Sequence, residues 1–220
     1  MDVVKAHIPS GHPNRPGTKL RALKAIIIHY TQNDRPGATD TMNVRYIGRK
    51  YVLKTLEDGT VKKFENDGKT PFSFGSAHIF CDMDSITEAI PLDEVAWSCG
   101  DKSYKGGYQR ASEKVFKFRQ NYESIGVEIC NNDAIKDSDE DWLAAVENAK
   151  QWVIEFLTSF GFTIDITGSL SPQTLEESPP TGTLLLLRHY DVSGKNCPKP
   201  FVDHPEAWKS FVEEIADQVG

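Results

Sequence analysis

Apolar residues gather in three short runs that read as central strands. Ala25 to Tyr30 is a β-branched stretch, AIIIHY, with scarcely a polar residue, and Thr183 to Leu187 is again continuously apolar beyond its first residue. Runs of this length without polar alternation suit strands covered on both faces. Ser124 to Cys130, SIGVEIC, alternates instead, which sends Ile125, Val127 and Ile129 to one face and Gly126, Glu128 and Cys130 to the other. Between the second and third of these strands in chain order the period changes to that of a helix. From Asp139 to Phe160 apolar residues fall at Trp142, Leu143, Val146, Ala149, Val153, Leu157 and Phe160, with Ser138 and Asp141 placed as a capping pair and Gly161 as a stop. A last helix is predicted to begin around Asp203 to Pro205 and to run through Trp208, Phe211, Val212 and Ile215.

The stretch from Arg45 to Gly75 departs from this alternation. Asp58-Gly59 and Asp67-Gly68 are turn dipeptides, and the alternating YVLKTL and VKKFE runs around the first predict a hairpin set apart from the main sheet. Ser76 to Ile90 reads as two further strands joined by a polar turn at Asp82 to Ser85, and Ser169 to Gly182, rich in Ser, Pro, Thr and Gly, as an inserted loop. There is no internal repeat. The expectation is one α/β domain spanning residues 1–220, a mixed sheet with helices on both faces.

Composition narrows the class. The chain has 220 residues, 39% of them hydrophobic, and a mean hydropathy of -0.45, enough for one large core. Its net charge of -7 argues against nucleic acid as the main partner, since phosphate binding calls for a basic surface. No apolar run approaches the ~20 residues of a membrane span, and Met1 to Ser10 lacks the basic start and greasy stretch of a secretion signal. The four cysteines, Cys81, Cys99, Cys130 and Cys197, show no C-x-x-C pair and read as thiols.

Candidate chemistry sits where two of the apolar runs end. Each delivers a histidine, His29 and His189, and Cys197 follows the second after a short polar loop that contains Gly194 and Lys195. Two imidazoles and a thiolate are zinc ligands, and three protein ligands leave a fourth position for water in a hydrolytic site. Taken singly, a histidine at a strand end is as well explained as a core-edge residue, and Cys197 with His189 as base could equally form a nucleophile pair. Glu128 in mid-strand, on the face opposite the apolar one, is a proton-transfer group beside such a site, an exposed residue on an edge strand, or a residue paired with a Lys.

Taken together, AIIIHYT, SAHIF, EAIPLDEVAWSCG, SIGVEIC and RHYDVSGKNCP resemble, in order and over about Lys19 to Phe201, the zinc-dependent N-acetylmuramoyl-L-alanine amidases related to T7 lysozyme and the peptidoglycan recognition proteins, and are most similar to phage endolysin and sporulation-type catalytic domains. The resemblance implies one zinc ion per chain on His29, His189 and Cys197, an acid/base role for Glu128 and oxyanion stabilisation by Lys195. Ala77 stands where the T7 branch has a catalytic tyrosine. It further implies that peptidoglycan is the substrate, with Trp97 and His78 as candidate groove residues, each equally compatible with a structural role. The enzyme would be made in the cytoplasm and act at the bacterial wall, with no separate wall-binding domain visible. A non-catalytic peptidoglycan-binding module of the same fold is the alternative; its members typically lack a zinc ligand.

Overall fold

The structure is a computed structural model that describes residues 2–33, 35, 37–65, 75–99, 119–130, 140–171 and 180–220. The first half of the chain contributes β1 (Val3–Lys5), β2 (Ala25–Tyr30), α1 (Asp40–Ile47), β3 (Tyr51–Thr55), β4 (Val61–Glu65), β5 (Ile79–Cys81) and β6 (Ile86–Glu88). The second half contributes α2 (Gln120–Glu123), β7 (Ser124–Ile129), α3 (Glu140–Phe160), β8 (Thr163–Ile164), α4 (Ile166–Leu170), β9 (Thr183–Arg188), α5 (His189–Ser193), α6 (Lys199–Asp203) and α7 (Pro205–Val219).

Seven strands form one sheet in the order β1-β6-β5-β7-β2-β9-β8, and β3 with β4 forms a separate two-stranded ribbon. Pairing is parallel throughout the large sheet except between β5 and β6. The sheet is therefore mixed, with β7 at its centre and β2 between β7 and β9. The three expected central strands are these three, all buried along most of their length.

Strand alternation divides the sheet's two faces. Ile26, Ile28 and Tyr30 of β2, Ile125, Val127 and Ile129 of β7, and Leu184 and Leu186 of β9 pack with Trp152, Val153 and Leu157 of α3 and with Trp208, Phe211 and Val212 of α7. That is the main core. The opposite face holds smaller clusters, Ala25, Ile27, Leu185 and Leu187 with Val192 of α5, and Phe80 and Cys130 with Val44 of α1. Helices thus lie on both faces.

Several elements depart from the sequence pattern. Helix α3 begins at Glu140; its expected cap at Ser138, like the Asp67-Gly68 turn and most of the Ser169 to Gly182 loop, lies outside the described residues. Leu143 and Phe160, expected on its buried stripe, are 52% and 63% exposed, because a helix's 3.6-residue period carries them to the rim of the face that Trp142, Ala149 and Val153 bury. Ser169 and Leu170 end α4 rather than opening a loop, and the Ser169 hydroxyl accepts from the Leu186 amide at 2.9 Å. Helix α1 occupies Arg45 to Ile47, so the hairpin excursion starts only at β3. The hairpin turn forms at Asp58-Gly59 as expected, with the Leu56 amide donating to the Thr60 carbonyl at 2.8 Å and Asp58 accepting from the Thr60 amide at 2.9 Å. Among the described residues no helix is long and apolar enough to cross a membrane.

Candidate metal centre

Parallel register places the first two candidate groups side by side. His29 of β2 is directly opposite Glu128 of β7, one residue before each strand ends. Both belong to the face away from the α3–α7 core, since their neighbours Ile28 and Val127 point into it. β9 runs parallel to β2 on its other side and hands the chain to α5 at His189. The carboxyl ends of adjacent parallel strands are the usual place for a site in such a sheet, because there the side chains and the following loops converge.

The turn after β9 brings in the third group. Helix α5 closes after one turn, with Gly194 in the left-handed region at φ 74° and its amide donating to the Tyr190 carbonyl. The returning chain is fixed by the Tyr190 amide, which donates to the Cys197 carbonyl at 2.8 Å. Cys197 thereby comes back under His189. His29 Nδ1 and His189 Nδ1 approach to 3.0 Å, and Cys197 Sγ is 4.0 Å from His29 Nδ1. The three candidate ligand atoms all lie within 4.8 Å of one another, and all three residues are buried.

These spacings suit one shared cation. Two nitrogens and a sulfur bound tetrahedrally at ordinary zinc distances would stand about 3.3 to 3.6 Å apart. Charge points the same way. Burial, followed by the charges of His189 and Lys195, holds His29 well below the usual histidine range. Burial and then Lys195 bring His189 down to about 3. Both imidazoles are therefore neutral and have a lone pair to give. Burial and the Glu128 carboxylate push the Cys197 thiol up to about 12, although the Tyr30 amide hydrogen-bonds its sulfur. A buried thiol so reluctant to ionise is a poor free nucleophile, which weighs against a Cys197–His189 pair; a bound cation reverses that balance by paying for the thiolate in charge.

Glu128 is the carboxylate beside this cluster. Its Oε2 is shut off from solvent and has no hydrogen-bond partner among the described residues. Burial raises its pKa to about 7 against a smaller opposing pull from Lys195. On the interior strand β7 it is not an exposed edge residue, and it forms no ion pair with a lysine among the described residues. Lys195 is exposed on the α5-to-Cys197 loop, and its charge is felt by His29, His189, Cys197 and Glu128 alike.

The two groove candidates separate. Trp97 is partly buried, its Nε1 donating to the Pro13 carbonyl at 3.2 Å and its ring edge-on to Tyr122 at 6.2 Å. His78 lines no groove: it is 0% exposed. Its Nδ1 accepts from the Gly126 amide at 3.0 Å, so the proton is on Nε2, which donates to the Glu94 carbonyl at 2.8 Å. The ring is a strut between β7 and the segment before Trp97. Alternation could not reveal this, because burial there comes from a loop distant in sequence.

Three positions were given no role in the sequence. Arg188 and Asp191 bracket His189 and clamp the turn that bears it: the guanidinium donates to both Asp191 oxygens at 3.0 and 2.7 Å and to the Phe201 carbonyl at 2.8 Å. It also lies over the rings of Tyr190 and Trp208. An Arg and an Asp three residues apart around a candidate ligand were the available signal. At Gly126, a Cβ would stand 2.7 Å from the Ser98 Cβ, so only glycine lets the Trp97–Ser98 segment lie against β7 two residues before Glu128.

Comparison with known proteins agrees with this geometry. Residues 19–200 match the N-acetylmuramoyl-L-alanine amidase family. The chain is 29% identical over 213 residues to N-acetylmuramoyl-L-alanine amidase BlyA of Bacillus subtilis (strain 168), an alignment covering 96% of this chain and 46% of that one. It is 27% identical to N-acetylmuramoyl-L-alanine amidase CwlL of Bacillus licheniformis, covering 100% of this chain and 48% of the relative. The chain thus spans about half the length of these relatives. Among solved structures, the PlyG catalytic domain superposes with a TM-score of 0.62 at 21% identity, over 100% of this chain and 96% of that one. The catalytic domain of XlyA does so with a TM-score of 0.59 at 24% identity, over 96% and 99% of the two chains. At these identities the structural likeness speaks for the fold, and the match over residues 19–200 for the lineage: the chain belongs to the N-acetylmuramoyl-L-alanine amidase family.

Proposed function

We propose that this chain hydrolyses bacterial cell-wall peptidoglycan at the amide joining the lactyl group of N-acetylmuramic acid to L-alanine of the stem peptide, using one zinc ion held by His29, His189 and Cys197. The observation that carries this reading is the meeting of these three residues, from β2, α5 and the following loop, within 4.8 Å of one another. The binding-module alternative has less support, because its members typically lack a zinc ligand, whereas here His29, His189 and Cys197 meet and Glu128 lies beside them.

A zinc ion in this set supplies Lewis acidity toward the scissile carbonyl and toward water. Glu128 holds the proton in transit. With a pKa near 7, its carboxylate accepts a proton from the attacking water and, once protonated, delivers it to the departing alanine nitrogen. The orphaned Oε2 is the lone-pair donor this step needs. Lys195 keeps its ammonium at the solvent edge, where it can meet the carbonyl oxygen as negative charge grows on it. Trp97 offers an apolar ring for a sugar face or alkyl stem.

The test is mass spectrometry of purified peptidoglycan after incubation with the protein, with chelator, and with zinc restored. Peptide-free glycan strands and new L-alanine amino termini, lost with chelator and recovered with zinc, are expected. C197S should bind zinc more weakly in direct titration. Activity indifferent to chelator, cleavage of glycan or cross-bridge bonds, or binding without cleavage would each overturn the proposal.

A further inference from the structure

The β3–β4 ribbon has no part in the chemistry above, and its charge is opposite to that of the rest of the molecule. Residues 45–65 hold six cations, Arg45, Arg49, Lys50, Lys54, Lys62 and Lys63, against three anions, Glu57, Asp58 and Glu65, in a chain whose net charge is -7. The ribbon shares no strand pairing with the main sheet. Its outer residues Leu53 and Val61 are 70% and 61% exposed.

Register shows where the charge is concentrated. Lys54 is directly opposite Lys62 in the antiparallel pair, so both side chains rise from the same face with Cβ atoms about 5 Å apart. Neither forms an ion pair among the described residues, and both are exposed. Like charges directly opposite destabilise a two-stranded ribbon that is marginal to begin with. An anion placed between them converts that repulsion into attraction.

The aromatic residues indicate which kind of anion. Single-stranded nucleic acid stacks its bases on ring faces, and here Arg49 already takes one face of the Tyr46 ring at 3.5 Å while Lys63 and Lys50 lie over the Tyr51 ring at 4.0 and 5.3 Å, which leaves fewer faces for bases. The cations left uncommitted on β3 and β4 are the lysines Lys54 and Lys62, compact point charges that can meet phosphate without an arginine fork. We propose that the ribbon, through Lys54 and Lys62, binds a linear polyol-phosphate polymer, a polyanion without bases. On the amidase reading such a contact would hold an otherwise acidic enzyme against an anionic wall; the binding itself does not depend on that reading.

The test is the affinity of the whole chain, with chelator present, for linear poly(glycerol phosphate), measured by fluorescence polarisation at low and at physiological salt. K54Q/K62Q is expected to weaken binding by about tenfold and to flatten its salt dependence. Its melting temperature should be equal or higher, since the repulsion is gone, and hydrolysis of a soluble muropeptide should be unchanged. K5Q/K209Q, which removes two cations outside the ribbon, should bind as the parent does. No binding, an equal loss in K5Q/K209Q, or full affinity in K54Q/K62Q would overturn the proposal. So would tighter binding of polyglutamate or of a single-stranded oligonucleotide of equal charge. Failure of amide cleavage with poly(glycerol phosphate) binding intact would count against the amidase reading alone.

Discussion

His78 offers a test of whether burial or chemistry governs a histidine beside the active face. In the fold its ring is neutral, with Nδ1 accepting from Gly126 and Nε2–H donating to Glu94. Burial brings its pKa from 6.5 down to about 4, against smaller opposing effects from Glu94. Protonation would place a second N–H where the Gly126 amide already points. The unfolded chain therefore takes up a proton near 6.5 while the folded one resists until about 4, so stability present above 6.5 is lost as pH falls toward 4. The gap corresponds to about 3 kcal/mol at the acid limit, and ~2 kcal/mol at about pH 5. The perturbation is His78→Gln, whose amide retains a donor and an acceptor but does not titrate. Urea-unfolding free energies of both proteins, measured from neutral pH down to about 4, should converge as the wild type loses this contribution. H78A, which leaves the Gly126 amide and the Glu94 carbonyl unpaired around a cavity, should cost ~3–5 kcal/mol at neutral pH, a gap that narrows toward about pH 4 as the wild type loses its own contribution. KM for a soluble muropeptide should be unchanged in H78Q, because the ring touches no ligand. Parallel pH profiles for wild type and H78Q, or a KM raised with stability intact, would refute this account and return His78 to the groove.

Glu128→Gln should retain zinc by direct titration while turnover falls by about 10²–10⁴; turnover equal to wild type would remove Glu128 from the mechanism. Lys195→Ala should lower kcat more than it raises KM, because its charge is needed as the carbonyl oxygen becomes anionic. An effect confined to KM would make it a binding residue. Arg188→Gln removes the fork that ties Asp191 to the Phe201 carbonyl and should weaken zinc binding about tenfold or more, the scale typical of groups that orient ligands; unchanged zinc affinity would restrict the clamp to stability.

The sequence was most informative where period and burial coincide. Ile26 and Ile28, Val127 and Ile129, and Leu184 and Leu186 are core residues because a strand between two helical layers must be apolar, and that composition is visible in the runs themselves. The candidate ligands were visible only in combination: a histidine closing an apolar run is equally a core-edge residue, but His29 and His189 both close such runs and Cys197 follows the second within eight residues. Helix α1 was not visible. Asp40, Thr41, Asn43 and Arg45 give it no apolar stripe, and what holds it are contacts from remote residues, the Asp82 carboxylate accepting the Asp40 amide at 3.2 Å and the Thr87 hydroxyl donating to Asp40 at 2.5 Å. Strand β1, paired with β6 across most of the first hundred residues, is too short for any pattern. The strut of His78 was not legible because its partners are backbone groups of Gly126 and Glu94 that only the folded chain brings near, whereas the clamp of Arg188 on Asp191 left a local signal in their three-residue spacing.

Alternation along β2 explains why chemistry and core can share one strand without conflict. Ile26, Ile28 and Tyr30 anchor it beneath α3 and α7, so His29, between two anchored residues, is presented to the other face with little freedom. The same anchoring in β7 sets Glu128 beside it by register rather than by any contact of its own. Precision at the site is therefore inherited from the apolar side of the sheet. A one-residue insertion before His29 would turn that imidazole into the core and bring an isoleucine to the ligand position, whereas the loop from α5 to Cys197, held by the Tyr190–Cys197 backbone bond and the Arg188 clamp, must obtain its geometry from polar contacts. The candidate ligand set thus combines one member on a packed strand with two on a turn and loop tied by hydrogen bonds, Cys197 also touching the apolar core. Polar substitutions around α5 should consequently disturb metal affinity at a smaller loss of global stability than apolar substitutions under β2.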